Sequence, residues 1–158
     1  MNGDKDLSLR WLIPEKIAAS HLPSEEDLKE WKRLGINSIV NLLDGWHGKT
    51  VAKWERFYGF KVLHVEIEDM SVPTFDELLY IVRWIKSEIE AKRKIIVHCY
   101  AGIGRTGTIL TAYLLLNGKS LNQALNMAKK IGSLPQSFSQ LKMLESLEKM
   151  IIEGKVEL

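Results

Sequence analysis

The chain has 158 residues, of which 46% are hydrophobic and 27% are charged, and its formal net charge is +2. This length predicts one domain with a single core, residues 1–158, in which only a polar tail at residues 1–6 is loose. Cys99 is the single cysteine, which excludes an intramolecular disulfide and hence a disulfide-stapled secreted scaffold. The polar start and the lack of a long apolar run predict a cytoplasmic protein that does not enter a membrane.

The charged residues are unevenly distributed. Residues 91–144 contain eight basic residues and no Asp or Glu, which leaves 14 basic and 20 acidic residues elsewhere. A positive lobe would attract an anionic substrate and raise the rate of encounter. The other interpretation is that these lysines only solvate helix faces.

Apolar runs alternate with amphipathic stretches over the first half of the chain. Ser24, followed by three acidic residues, predicts a helix N-terminus, and Gly35 follows the predicted end of that helix. The elements predicted here are, in chain order, a strand at 9–13, a helix at 24–34, a strand at 36–43, a short helix at 50–58 and a strand at 60–67.

The second half contains one predicted strand and four predicted helices. They are a long helix at 74–92, a strand at 95–97, an apolar helix at 108–116, and two further helices at 120–131 and 137–152. Strands separated by helices predict an α/β fold with a mostly parallel central sheet flanked by helices. In such a fold the functional crevice lies beyond the carboxyl ends of the strands.

Three segments with polar side chains follow predicted strands, at 44–47, 66–73 and 99–107. The third is the most informative, because it places a cysteine, glycines and an arginine between a strand and a helix. The N–H groups of such a loop and the positive end of the helix dipole point toward one place, which predicts a phosphate site.

Cys99 is the predicted nucleophile of this loop. The helix N-terminus, the loop N–H groups, Arg105 and Thr106 all favour its thiolate, and attack on a phosphoryl group would give a phosphocysteine. Arg105 can grip two phosphoryl oxygens at once. The predicted phosphate-binding residues are Cys99, Tyr100, Ala101, Gly102, Ile103, Gly104 and Arg105.

The leaving oxygen needs a proton, and Asp69 is the predicted general acid. It follows a strand that should end at the same edge of the sheet, and Pro73 stiffens its loop. The alternatives for this role are Glu66, Glu68 and Asp44, and Asp69 could instead be a solvated loop residue or a cap.

Residues 98–107 match the pattern H-C-x-x-x-x-x-R-[ST]-G, so the sequence resembles the protein tyrosine phosphatases and dual-specificity phosphatases. The small size, the opening W-L-I-P at residues 11–14 and an aspartate loop thirty positions before the cysteine resemble the small atypical dual-specificity and archaeal tyrosine phosphatases. The likeness extends over residues 11–147. It implies a fold like that of the protein tyrosine phosphatases and hydrolysis of phosphorylated proteins.

The resemblance also implies roles for individual residues. His98 would brace the loop, Thr106 would help Cys99 to leave as thiolate, and Gln136 would position the hydrolytic water, with Gln140 as a weaker candidate. The implied catalytic residues are therefore Cys99, Arg105, Asp69, Thr106, Gln136 and His98. We expect a monomer that acts on phosphoproteins, with no cofactor, no nucleic acid and no membrane. We also expect no metal ion, because no cluster of His, Cys and acidic residues has the spacing of metal ligands.

The substrate stays open at this point. The tyrosine-recognition loop of the large tyrosine-specific enzymes has no evident equivalent, although Trp46 or Tyr100 could line the pocket, so phosphotyrosine and phosphoserine or phosphothreonine are all candidates. The phosphoinositide branch has lysines at the positions of Tyr100 and Ile103, which disfavours an inositol phosphate. An RNA 5′ end is a further alternative substrate.

Two other classes of protein fit less well. A non-catalytic phosphopeptide-binding module is one alternative, but such proteins usually lose the cysteine, the arginine or the acid. Residues 102–107 also match G-x-G-x-x-G, yet a dinucleotide site needs an acid about twenty residues later, and none occurs before Glu145.

Overall fold

The computed structural model describes residues 8–158, and the predicted tail at residues 1–6 lies outside them. The described elements are β1 (Arg10–Ile13), β2 (Ile17–Ser20), α1 (Glu25–Arg33), β3 (Ile36–Asn41), α2 (Gly45–Phe57), β4 (Lys61–His64), α3 (Phe75–Glu90), β5 (Lys94–His98), α4 (Gly104–Leu116), α5 (Leu121–Lys130) and α6 (Phe138–Ile152). Within residues 8–158, none of the helices combines the length and the apolar character needed to cross a membrane.

The five strands form one sheet in the order β1-β2-β5-β3-β4. β1 pairs with β2 in antiparallel fashion, whereas the other neighbouring strands are parallel. The prediction of an α/β fold with a mostly parallel central sheet is confirmed. Because β5 lies between β2 and β3, the loop that follows β5 leaves the middle of the sheet.

Apolar side chains cover both faces of the sheet. Ile95 and Val97 of β5 join the larger core cluster with residues of α3, α4, α5 and α6. Ile96 points to the opposite face, where Trp31 and Phe60 pack, as the alternation of a strand requires. The residues of α4 from Gly104 to Leu115 are all buried, so packing fixes this helix behind the loop.

Four helices begin with a capping box, in which a Ser or Thr side chain accepts a hydrogen bond from the third helical N–H and that residue's side chain accepts one in return. The capping residues are Ser24, Thr74, Ser120 and Ser137. The other two helices, α2 and α4, have no side-chain cap. Both begin beyond the carboxyl ends of central strands, so their first-turn N–H groups lie at the predicted crevice.

The secondary structure differs from the prediction in several places, and the strand predicted at 60–67 is shorter, Lys61–His64. The strand β2 was not predicted, because it has only four residues, all of them buried, and so shows no alternation. The helix predicted at 50–58 in fact begins at Gly45. The prediction began it too late because glycine has a low helix propensity, and Gly45 and Gly48 lie in its first turn. Gly48 is needed there, because a Cβ atom would lie 2.3 Å from the carbonyl oxygen of Leu43. The helix predicted at 108–116 likewise begins earlier, at Gly104.

Candidate active site

Cys99 lies directly after β5, at the base of a cavity of about 510 Å³. Its side chain is buried, with 2% of the residue exposed, and its Sγ accepts a hydrogen bond from Oγ1 of Thr106 at 3.1 Å. Most of the lining residues come from the three predicted crevice segments, and the others are Leu43, just before the first segment, and Gln136, just before α6. The full lining is Leu43, Asp44, His47, Asp69, Met70, Cys99, Tyr100, Ala101, Gly104, Arg105 and Gln136. The cavity therefore collects Cys99, Arg105, Asp69 and Gln136 in one place.

The loop from Cys99 to Gly104 is held from behind through the carbonyl of Gly102. That oxygen accepts hydrogen bonds from Oγ of Ser133 at 2.6 Å and from Nη2 of Arg10 at 3.2 Å. Gly102 has a φ of +75°, and a Cβ atom there would lie 2.4 Å from the carbonyl oxygen of Ser20. With its carbonyl turned outward in this way, the loop keeps a fixed curvature around the cavity.

Arg105 is the buried cation of the cavity. Its Nη1 donates to the carbonyl of Ile67 at 2.8 Å and to Oδ1 of Asp44 at 3.2 Å, while Nη2 lies 3.7 Å from Oδ1 of Asp69. Nε is buried and has no hydrogen-bond partner among the described residues. A buried N–H group without a partner is costly. Arg105 therefore has hydrogen-bonding capacity that the described residues do not fill.

Asp69 lies on an exposed loop that is fastened to α6. The side chain of Asp69 is 73% exposed, and its Oδ1 accepts a hydrogen bond from the N–H of Met70 at 3.0 Å. Oγ of Ser139 donates to the carbonyl of Met70 at 3.3 Å, and Nε2 of the buried Gln140 donates to the carbonyl of Ser71 at 3.2 Å. These contacts keep Asp69 beside Arg105 while leaving its carboxyl group open to a ligand.

The two candidate glutamines have different surroundings. Gln136 lines the cavity, and its Oε1 lies 2.6 Å from the position of a Cβ atom at Gly104. Gln140 is fully buried, and its Oε1 accepts the backbone N–H groups of Gln136 and Ser137 at 2.8 Å and 3.2 Å. Gln140 is thus engaged in fixing the start of α6, whereas Gln136 faces the cavity.

His98 is fully buried and contacts a residue that sequence reasoning missed. Its Nε2 lies 2.5 Å from Oε2 of Glu55, which is also fully buried, and Oε1 of Glu55 accepts from Nδ2 of Asn41 at 3.1 Å. Glu55 shares one face of α2 with Gly48 and Ala52. That spacing of small residues was the signal in the sequence that this face of α2 is buried.

The remaining sequence candidates lie around the same cavity. Asp44 lines it, whereas Glu66 and Glu68 are exposed and do not, and Oε1 of Glu66 accepts the N–H of Gly45 at 2.7 Å. Tyr100 forms part of the wall, but Trp46 is 80% exposed and lies outside it. Among residues 8–158, no three His, Cys, Asp or Glu side chains are grouped so that they could hold a metal ion.

Residues 15–119, about two thirds of the chain, match the family model described as "Polymorphic toxin system, DSP-PTPase phosphatase". The chain belongs to this family. The resemblance to tyrosine and dual-specificity phosphatases is thereby confirmed, whereas the roles of the individual site residues stay predictions.

The chain is also similar to individual proteins and to solved structures. The crystal structure of Tk-PTP in the active form is 30% identical and has a TM-score of 0.82 over 90% of this chain and 97% of that one. An uncharacterized protein of Methanocaldococcus jannaschii is 41% identical over 56 residues, 35% of each chain. The Arabidopsis thaliana protein named phosphatidylinositol 3,4,5-trisphosphate 3-phosphatase and protein-tyrosine-phosphatase PTEN1 is 28% identical over 137 residues, 79% of this chain and 32% of that protein. The matched segments thus span about a third of the length of these two curated relatives.

Proposed function

We propose that this protein hydrolyses phosphate monoesters on protein side chains, phosphotyrosine above all, through a phosphocysteine intermediate. The observation that carries the proposal is that Cys99, Arg105 and Asp69 line one cavity, in which Arg105 is the one Arg or Lys among the described lining residues. The uncapped first turn of α4 adds further N–H groups at the same point. Together they form a cradle for a phosphoryl group above a nucleophile.

In the first step, Sγ of Cys99 attacks phosphorus and the bond between phosphorus and the ester oxygen breaks. Asp69 donates a proton to the leaving oxygen, for which its open carboxyl group beside Arg105 is suited. Arg105 and the α4 N–H groups stabilise the charge on the three other phosphoryl oxygens. The products are an alcohol or phenol and a phosphocysteine.

In the second step, water attacks the phosphocysteine and the bond between sulfur and phosphorus breaks. Asp69, now a carboxylate, takes the proton from this water, and Gln136 orients the water from the wall of the cavity. Oγ1 of Thr106 donates to Sγ at 3.1 Å and so stabilises the departing thiolate. Buried His98 and Glu55 hold the start of the loop and do not touch the substrate.

The charges in the cavity support a single phosphate ester on an aromatic side chain. Among the described lining residues, Arg105 is the one Arg or Lys, and it faces the carboxylates of Asp44 and Asp69. An inositol polyphosphate or an RNA end would bring additional phosphates toward these carboxylates, where like charges repel. Leu43 and Tyr100 offer apolar surface to a phenyl ring.

The test is phosphate release from matched phosphotyrosine and phosphothreonine peptides by wild type and by Cys99→Ser. We expect turnover on phosphotyrosine by the wild type and a loss of about 10⁴-fold or more in kcat for Cys99→Ser, because the hydroxyl is a far weaker nucleophile. Binding of the phosphopeptide by Cys99→Ser, measured by calorimetry, is the control for folding. Binding without turnover by the wild type would instead identify a phosphopeptide-binding module.

A further inference from the structure

A trench runs from the candidate active site along the exposed side of α2. Residues on successive turns of α2 form one side of the trench, and residues between Leu22 and Leu28 form the other side. Two adjoining hollows form it: one of about 160 Å³ lined by Leu22, Pro23, Leu28, His47, Thr50, Val51 and Trp54, and one of about 420 Å³ lined by Glu25, Lys53, Trp54, Phe57 and Tyr58. We call these two hollows the α2 trench.

The α2 trench adjoins the catalytic cavity at His47. His47 lines both the catalytic cavity and the first hollow, and Trp54 lines both hollows of the trench. The opposite wall is joined to the phosphate loop, because the N–H of Leu22 donates to the carbonyl of Tyr100 at 2.8 Å. A chain that enters the cavity with one side chain can therefore continue into the trench without leaving the surface.

The far hollow presents apolar surface with little net charge. Trp54 is 55% exposed and Phe57 is 85% exposed, and large exposed apolar side chains in one patch mark interaction sites. Tyr58 donates a hydrogen bond to Glu25, and this contact raises the pKa of Tyr58 above its ordinary value. Glu25 and Lys53 have opposite charges, so the hollow suits an apolar side chain better than a charged one.

We propose that the α2 trench binds the substrate chain next to the phosphorylated residue and selects an apolar side chain about three residues away from it. This proposal rests on the proposed function. Trp54 follows His47 by seven residues, a helical rise of about 10 Å at 1.5 Å per residue. An extended peptide covers the same distance in about three residues. The trench thus supplies specificity that the cavity, which holds only the phosphorylated side chain, does not.

Two other occupants of an apolar trench are a second copy of this chain and a lipid surface. Neither explains why the trench and the cavity share His47 as a lining residue, or why the wall of the trench is hydrogen-bonded to the loop that follows β5. A substrate chain explains both features, because its phosphorylated residue must lie in the cavity.

The test is a set of phosphotyrosine peptides that are otherwise Ser- and Gly-rich and carry one Leu at each position from four residues before to four residues after the phosphotyrosine. We expect kcat/KM to rise about tenfold when Leu lies three or four residues away on one side, as burial of one Leu side chain permits. In Trp54→Ala and Phe57→Ser this preference should fall to about twofold or less, while kcat/KM on p-nitrophenyl phosphate stays at the wild-type value. Tyr80→Ser, which changes an exposed aromatic on α3 outside the trench, should keep the preference.

The proposal is wrong if Leu gives no preference at any position, or if the trench variants slow the Leu and all-Ser peptides equally. It is also wrong if these variants keep the preference but abolish self-association in gel filtration, or binding to vesicles of phosphatidylcholine and phosphatidylserine. Failure of the proposed function has a different result, namely no turnover of p-nitrophenyl phosphate by the wild type. In that case calorimetric binding of the same peptides by Cys99→Ser decides whether the trench selects Leu.

Discussion

A buried charged side chain lies at each end of the central sheet, Glu88 at one end and Arg105 at the other, and the two differ in how fully they are hydrogen-bonded. At the amino end, Glu88 of α3 is 2% exposed and accepts from Oγ of Ser38 at 2.5 Å, from Nζ of Lys61 at 2.7 Å and from Nη1 of Arg93 at 3.1 Å. At the carboxyl end, Arg105 is 4% exposed at its side chain and has a buried Nε without a partner among the described residues. Side chains of the protein thus supply hydrogen bonds to Glu88, whereas one N–H group of Arg105 has no partner among the described residues.

This difference separates a charge that its neighbours satisfy from the charge to which we assign a function. Burial raises the pKa of Glu88, but the hydrogen bonds from Lys61 and Ser38 and the charges of Lys61 and Arg93 outweigh it, so the pKa lies below its ordinary value. A charge whose neighbours already supply its hydrogen bonds has no capacity left for a ligand, and removing one of its partners is destabilising. A partly partnered charge such as Arg105 lowers stability unless a ligand completes it, which is the arrangement expected of a binding site.

The largest effect should come from Arg105→Lys. A lysine keeps the positive charge but cannot donate two parallel hydrogen bonds to a phosphoryl group, so we expect kcat/KM on phosphotyrosine peptide to fall about 10³-fold. Arg93→Lys is the matched control at the other end of the sheet, and its kcat/KM should stay within twofold of the wild type. Steady-state kinetics of both variants measure the difference, and equal losses would show that the comparison of the two ends is wrong.

The next largest effect should come from Asp69→Asn. Removing the proton donor should lower kcat on a phosphotyrosine peptide about 10²-fold, with a smaller loss on p-nitrophenyl phosphate, whose leaving group needs less protonation. Asp44→Asn is the control, since Asn can still accept the hydrogen bond from Arg105, and we expect less than a fivefold loss. A larger loss in Asp44→Asn than in Asp69→Asn would make Asp44 the general acid.

The sequence was enough to locate the candidate cavity, because several of its residues lie in one segment, while the roles of these residues stay predictions. Cys99, Arg105 and Thr106 lie within eight residues, and the strand and helix on either side follow from long apolar runs. Asp69 could be chosen because carboxyl ends of parallel strands meet at one edge. These inferences needed only local pattern and the topology of a parallel sheet.

The parts that sequence reasoning missed all depend on contacts between distant segments. In the sequence, Glu55 looks like any other charged residue of a helix. Its role becomes visible only through its contact with His98, which lies 43 positions away in the chain. Arg10 and Ser133 fix the carbonyl of Gly102 from 92 and 31 positions away. A polar residue that braces a loop from another element leaves no local periodicity, so only the fold reveals it.

The smallest effect, and a change in stability alone, should come from Glu88→Gln. The amide keeps the shape but loses the ionic hydrogen bonds to Lys61 and Arg93, which are about half exposed, so we expect a loss of about 2 kcal/mol in the free energy of unfolding. This corresponds to a fall of about 4–8 °C in Tm for a chain of this size. kcat/KM should stay at the wild-type value, because the site lies at the other end of the sheet.

The pH dependence of the free energy of unfolding tests whether the charge of Glu88 stabilises the fold. Since the pKa of Glu88 is lower in the folded protein than in the unfolded chain, its stabilising contribution is complete above the unfolded pKa and is lost as the pH falls through the folded one. The difference in the free energy of unfolding between wild type and Glu88→Gln, measured by urea denaturation, should therefore be largest near pH 7 and shrink toward acid pH. A difference that is constant with pH would mean that Glu88 acts through its shape and its neutral hydrogen bonds. The charge of Glu88 would then contribute no more to the free energy of unfolding than an amide does.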